Sequence, residues 1–518
     1  MDTLADLVLI DGKIVTMNPL QPNAEAVAVK GDRIVRVGTT EEVSYMIGKD
    51  TKIVYLDWRC VVPGLIDTHI HVGDYARFLM WLDLAQVKSI KDMQALLKHR
   101  VAGLPAGKWV VGRGWNEERF AERRLPTRFD LDAVAPENPV IFYYECGPVL
   151  VANTKALHLA GVDKDTTNPS GGSIDRDAET GEPTGILRDA ATDLVWSKMP
   201  EPTEDELVEA SAEACTRIVA AGVTGVHWLA TSKADAQILK RLCRAGRLPL
   251  RVFMVVPASF MDDLDPLEGL NKEIARVGGV EVQADGYLAM GTAALHQPYD
   301  SDHKTNGELL ASPAEIAESA RKISASGLQV VIHAMGDQAV DAALSALEEA
   351  KLQGKHRLDQ AALLHPELIA RIKAQEAVVS VQPLVAASEF SVYSAEAHLG
   401  KKRARWLYPL KTLVDAGVRV CAGSDCPMEP LSPLLGIESL LAREHFPEER
   451  VSVYEALRMY TANAAYATGE ENLRGSVEEG KLADLTVLSS DLRQTEPTKI
   501  HGVKVEMTIV GGKAVFMR

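Results

Sequence analysis

Between residues 60 and 425, short β-branched apolar runs alternate with stretches of helical periodicity. Eight such runs stand out, at 61–66, 223–229, 250–256, 280–285, 328–332, 360–364, 377–381 and 418–422. Most are near-continuously apolar, the pattern of a strand buried on both faces, and each neighbours an amphipathic stretch such as 313–326 or 337–352. That alternation specifies a parallel sheet covered by helices. Eight parallel strands within about 370 residues predict a (β/α)₈ barrel of the TIM type.

The two ends of the chain read differently. Residues 7–10 and 13–17 flank Asp11-Gly12, and 26–30 and 33–37 flank Gly31-Asp32. Both are hairpin signals. Runs at 485–488, 506–510 and 513–517, the last two around Gly511-Gly512, repeat the pattern. We expect residues 1–60 and 475–518 to build one small β-sandwich domain, and residues 61–474 to form the barrel. Roughly 150 residues separate the first two barrel strands, far more than a βαβ unit needs. An inserted subdomain over the barrel mouth is therefore expected at 75–220.

Composition narrows the function. A chain of 518 residues exceeds one ordinary core. Its 46% hydrophobic and 25% charged residues are those of a globular enzyme. A formal net charge of -16 argues against nucleic acid, whose phosphates a partner must neutralise. The six cysteines (Cys60, Cys146, Cys215, Cys243, Cys421 and Cys426) form no CxxC pair. A disulfide scaffold is not expected, and a reducing cytoplasm fits. The N-terminus lacks the basic and apolar regions of a signal peptide, and no apolar run suffices for a membrane span.

Polar residues gather where the predicted strands end. Asp67-Thr68-His69-Ile70-His71 follows the first run, and residues i and i+2 of an extended segment share a face. His69 and His71 thus aim two imidazoles at one point, the start of a zinc, manganese or iron site. His333 ends the fifth run and Asp425 follows the eighth, at the face where barrel enzymes place their sites. A carboxylate there binds metal through one oxygen and serves as proton acceptor through the other. Glu281, inside the fourth run, is costly to bury unless a cation pairs with it. His296, His303 and His365 are further imidazoles downstream. Trp115, Asn116 and Tyr144 of the insertion, and Gln360, are candidate substrate contacts.

These residues in this order resemble the amidohydrolase superfamily, and within it the YtcJ-like group that includes N-substituted formamide deformylase. The likeness is carried by Val62-Pro63-Gly64-Leu65-Ile66-Asp67-Thr68-His69-Ile70-His71, Gly112-Arg113-Gly114-Trp115-Asn116, Ala284-Asp285-Gly286, His333-Ala334-Met335-Gly336-Asp337, Gly423-Ser424-Asp425-Cys426-Pro427 and Gly480-Lys481-Leu482-Ala483-Asp484-Leu485. It spans almost the whole chain. The resemblance implies a metal-dependent hydrolase barrel with a terminal sandwich, and a homodimer is common among such relatives. The chain also departs from the group. Glu281 stands where a metal-bridging lysine is usual, and Asp359-Gln360 where the group has Glu-His. Gly291 and Gln338 replace arginines, and Pro148 replaces a histidine.

The expected centre therefore holds one or two divalent ions, zinc first, with manganese or iron as alternatives. His69, His71 and Asp425 are its ligands, with Glu281 as fourth and His333 binding metal or substrate. Asp425 and His333 are the catalytic pair. The leading expectation is hydrolysis of a C–N bond in a small amide, formamide or cyclic amide. The altered positions leave open C–C bond hydrolysis of a cyclic diketone, or decarboxylation. A barrel that has lost catalysis and only binds is the third reading.

Overall fold

A computed structural model describes residues 4–145, 148–263, 271–352 and 355–518. The eight apolar runs form eight parallel strands: β1 Leu65–Ile70, β2 Val223–Leu229, β3 Arg251–Pro257, β4 Ala275–Gln283, β5 Gln329–Ala334, β6 Arg357–Gln360, β7 Val378–Val381 and β8 Arg419–Ala422. They neighbour one another in chain order, and every pair is parallel. The sheet closes on itself just beyond the strand ends. There the Asp425 N–H donates to the His69 carbonyl at 2.8 Å, and the His71 N–H to the Cys426 carbonyl at 2.9 Å. The barrel of the sequence reading is therefore present, and its seam lies where the candidate ligands cluster.

Several strand boundaries differ from expectation, the fourth strand starting at Ala275 rather than Val280, and two of the differences matter for the site. The run 61–66 is not one strand. It breaks at Gly64: Cys60–Pro63 pairs antiparallel with Leu485–Leu488 in the terminal domain, and Leu65–Ile70 enters the barrel. Gly64 sits against Thr224, with no room for a side chain, since a Cβ there would lie 2.1 Å from Thr224 Oγ1. The shift places His69 within β1 rather than after it. The sixth strand ends at Gln360 rather than starting there. Gln360 and Ala361 both have positive φ, 67° and 39°, which no extended strand accommodates. Gln360 thereby sits at the C-terminal end of β6.

The termini form two sheets. One, of four strands, holds Leu7–Ile10, Ala26–Lys30, Arg33–Gly38 and Lys52–Tyr55. The other, of six, holds Lys13–Val15, Asn23–Ala24, Cys60–Pro63, Leu485–Leu488, Val505–Val510 and Lys513–Met517. The hairpins around Gly31-Asp32 and Gly511-Gly512 form as expected. The one around Asp11-Gly12 does not, because Leu7–Ile10 and Lys13–Val15 enter different sheets. Leu9 and Ile14 instead share one buried core with Val27, Val61, Leu485 and Ile509. Asp484, just ahead of Leu485–Leu488, pairs with Arg251 of β3 at 2.7 Å, both buried, which ties the terminal sheets to the barrel.

Residues Ala76–Ala210 form a second compact unit. Its six-stranded sheet runs in the order Gly172–Arg176, Pro183–Asp189, Val149–Ala152, Val140–Tyr144, Val110–Trp115 and Leu82–Asp83. Asn153 knits it locally, accepting from the Val140 and Ala156 N–H groups and donating to the Ala135 and Asn138 carbonyls. The described cysteines are all free thiols, and Cys146 lies outside the described residues. Among the described residues no helix is long and apolar enough to cross a membrane.

Candidate metal centre

The first two donors come from the end of β1. His69 is nearly fully buried and His71, just past the strand, is half-buried. The third arrives across the barrel seam. After β8 the chain passes Gly423, where a Cβ would lie 2.3 Å from the His69 nitrogen. Only glycine allows that approach. Asp67 fixes the seam from beneath, its Oδ1 accepting the His69 N–H at 3.1 Å and the Ser424 N–H at 2.9 Å. Burial pushes the Asp67 carboxyl up to about 6. Asp425 then adopts a left-handed φ of 61° and turns its carboxylate inward.

Asp425 Oδ1 lies 3.4 Å from His69 Nε2 and 3.3 Å from His71 Nε2. All three donors fall within 4.8 Å of one another. On its far side His69 is held by Asp359, whose Oδ2 lies 2.7 Å from Nδ1. Asp359 is in turn clasped by Arg357, and both are fully buried. A carboxylate on the distal ring nitrogen fixes tautomer and orientation, so that Nε2 is the free donor. His71 Nδ1 has no such partner among the described residues.

The electrostatics favour positive charge at this point. Burial opposes protonation of His69, but Asp359 and Asp425 outweigh it and raise the imidazole to about 10. Burial also opposes the Asp425 charge, yet the two imidazoles hold its carboxyl well below the usual range. Asp359 is lowered as well, the Arg357 guanidinium and His69 prevailing over burial. Two imidazole nitrogens and one carboxylate oxygen form a donor set suited to zinc, manganese or iron.

The three donors open into a cavity of about 430 Å³ that Glu281, Gln283, Tyr287, His333 and Gln360 also line. Glu281 and His333 share that cavity, but neither contributes an atom to the three-donor group. His333 Nε2 lies 3.4 Å from the Gly286 carbonyl, and its ring meets Tyr287 edge-on at 5.3 Å. The turn after His333 is pinned by Asp285, which accepts from the Ala294, Met335 and Gly336 N–H groups. Gln360 is engaged, its amide nitrogen 3.4 Å from Asp425 Oδ2 and its oxygen accepting from Tyr408 at 3.1 Å.

Other expected residues lie apart. His296 is exposed and pairs with Asp341 at 3.3 Å, His303 is exposed, and His365 caps the helix Pro366–Ala374. Trp115, expected to touch substrate, is instead fully buried in the core of its own unit. Its indole N–H donates to the Phe142 carbonyl at 2.9 Å, and its ring packs on Phe120 and Tyr144. Asn116 bonds Glu145 and caps the short turn Glu117–Arg119. Asp359, Arg357, Tyr287 and Tyr408 carry parts that sequence reading did not assign. Arg357 and Asp359, two charges at i and i+2 in an apolar strand, were a usable signal, since buried charges must pair.

A family model described as the amidohydrolase family matches residues 55–516. The chain is 32% identical to a putative amidohydrolase, YtcJ, of Bacillus subtilis (strain 168), over 98% of both chains. It is 29% identical to the N-substituted formamide deformylase of Arthrobacter pascens, over 100% of this chain and 99% of that one. Among solved structures, an uncharacterised metal-dependent hydrolase from Pyrococcus furiosus superposes with a TM-score of 0.78. That structure covers 95% of this chain and 100% of its own, at 29% identity.

Proposed function

The chain belongs to the amidohydrolase family, and from that premise we propose that it hydrolyses the C–N bond of a small amide, formamide or cyclic amide. The observation that carries this reading is the convergence of His69 Nε2, His71 Nε2 and Asp425 Oδ1 on one point, with Asp359 behind His69. A relative named as a formamide deformylase supports the choice of bond.

The donor set fits a divalent ion, zinc first, held by His69, His71 and Asp425. Such an ion supplies Lewis acidity and brings the pKa of a water molecule towards about 7. Asp425 takes the proton of the attacking water and delivers it to the leaving nitrogen. His333, buried at the cavity wall, donates to the substrate's carbonyl oxygen as charge develops there. Asp359 keeps His69 in one tautomer throughout. Glu281 faces the same cavity and is the candidate for a further ligand. Free thiols suit the reducing cytoplasm.

Metal content by inductively coupled plasma mass spectrometry, on the wild type and Glu281→Ala, tests the centre. Steady-state assays on N-substituted formamides, simple amides and cyclic amides test the bond. Turnover of a cyclic β-diketone or a carboxylate alone would move the reaction to a C–C bond. A protein that takes up no zinc or manganese would be a binding barrel.

A further inference from the structure

A carboxylate has two oxygens and in principle serves two cations. In Asp425 they are not equivalent. Oδ1 faces both imidazoles, at 3.4 and 3.3 Å, and Oδ2 faces the Gln360 side-chain nitrogen at 3.4 Å. The Gln360 amide has a defined orientation, because its oxygen accepts the Tyr408 hydroxyl at 3.1 Å. Turning it over would set an oxygen against a carboxylate and an N–H₂ against a hydroxyl. The amide therefore presents the positive end of its dipole to Oδ2.

This contact is built into the fold. Gln360 is almost completely buried and holds a φ of 67°, a conformation that side-chain-bearing residues seldom adopt. Tyr408 is fully buried. Its N–H donates to the Ala362 carbonyl at 2.7 Å, and its own carbonyl accepts from Arg443 at 2.6 Å. Burial raises its hydroxyl well above the ordinary tyrosine range, so it stays a donor. The other acid and imidazole of the cavity, Glu281 and His333, stand outside the three-donor group.

Resting on the hydrolase reading above, we propose that Gln360, locked by Tyr408, is a positioning residue that reserves Asp425 Oδ1 for one cation and denies Oδ2 to a second. The centre is then mononuclear. The amide N–H₂ repels a cation approaching Oδ2, while its hydrogen bond holds the carboxylate in the rotamer that faces the imidazoles. Removing the amide loosens the single ion, and replacing it by a carboxylate opens a second place.

The experiment loads full-length protein with excess zinc, removes the unbound ion, and counts zinc by mass spectrometry. Affinity comes from competition with a chromophoric chelator. Wild type is expected to hold one equivalent. Gln360→Leu should still bind no more than one, about 10–100-fold more weakly, as for other outer partners of metal ligands. Tyr408→Phe, which removes one oxygen and keeps the ring, should weaken zinc in the same direction by less. Gln360→Glu should bind more than one equivalent. Two equivalents in the wild type would overturn the proposal. So would wild-type affinity in both Gln360→Leu and folded Tyr408→Phe, and in that case the hydrolase reading would stand. A wild type that holds neither zinc nor manganese would overturn both.

Discussion

The two ends of the barrel treat buried charge in opposite ways. Near the N-terminal ends of the strands the buried acids Glu470 and Asp484 are paired with arginines. Glu470 bonds both Arg276 and Arg474, and Asp484 grips Arg251 with two hydrogen bonds. At the mouth, Asp425 meets two imidazoles and an amide, and among the described residues no arginine or lysine pairs with it. An acid completed by arginines is finished structurally, and one facing imidazoles, which can give up their protons to a metal, is a place for a cation from outside. Charge at the lower end should therefore carry stability and charge at the mouth should carry chemistry.

The largest expected effect breaks the mouth alone. Asp425→Asn keeps the side-chain volume but replaces the carboxylate with a neutral amide, a weaker ligand and no proton acceptor. Turnover should fall by at least about 10²–10⁴-fold, the usual contribution of a positioned acid–base group, with zinc lost in parallel. Zinc retained at the wild-type level with full turnover would show that Asp425 is neither ligand nor proton acceptor.

The reciprocal change breaks the other end. Glu470→Gln leaves Arg474, fully buried, and Arg276 without their carboxylate. Breaking such a pair costs about 3–5 kcal/mol. Denaturant midpoints should fall accordingly, while zinc stoichiometry and turnover of the folded fraction hold. Lost zinc at unchanged stability would erase the contrast.

Acid titration sharpens the same point. Burial alone would raise Glu470, but Arg474 and Arg276 outweigh it and lower the carboxyl from 4.5 to about 2. A depressed folded pKa adds stability that is complete above the unfolded value and is lost as pH falls towards the folded one. Between pH 4.5 and 2 this group alone should remove on the order of 3 kcal/mol. Urea unfolding across that range should show the loss in the wild type, and Glu470→Gln should lack that component.

Most of this contrast was legible in the sequence at the mouth and almost none at the other end. His69, His71 and Asp425 sit at strand ends, where spacing along one strand and position after another define a shared point. The sandwich hairpins at Gly31-Asp32 and Gly511-Gly512 read correctly because their turn residues act locally. Asp11-Gly12 did not, since whether a turn makes a ribbon or crosses between sheets depends on where Leu9 and Ile14 find a core. The role of Gln360 was hidden for a similar reason. Tyr408, which orients it, is 48 residues away in sequence, and no local pattern announces the contact. Trp115 misled because an aromatic next to Asn116 looks like a binding surface, whereas its indole N–H has a backbone partner inside its own unit.

The smallest expected effect comes from the residue that joins the two ends. His227, fully buried on β2, is kept neutral by burial and by the guanidinium groups of Arg357, Arg474 and Arg276. Its Nδ1 accepts from Arg357 Nη1 at 2.8 Å, so the ring proton lies on Nε2, which has no partner among the described residues. Arg357 also holds Asp359, and Asp359 holds His69. His227→Leu removes the acceptor and leaves one guanidinium N–H buried and unpaired, at about 1–3 kcal/mol of stability. The deletion also frees Arg357 to tilt, so zinc affinity should shift by less than about tenfold, below the effect of losing an outer partner directly. Chelator competition beside a thermal melt separates the two readouts. A stability loss with no change in affinity would mean that Asp359 is fixed by Arg357 alone and that the two ends are independent. A change in affinity as large as that of Asp359→Asn would mean that the lower end sets the geometry of the metal ligands.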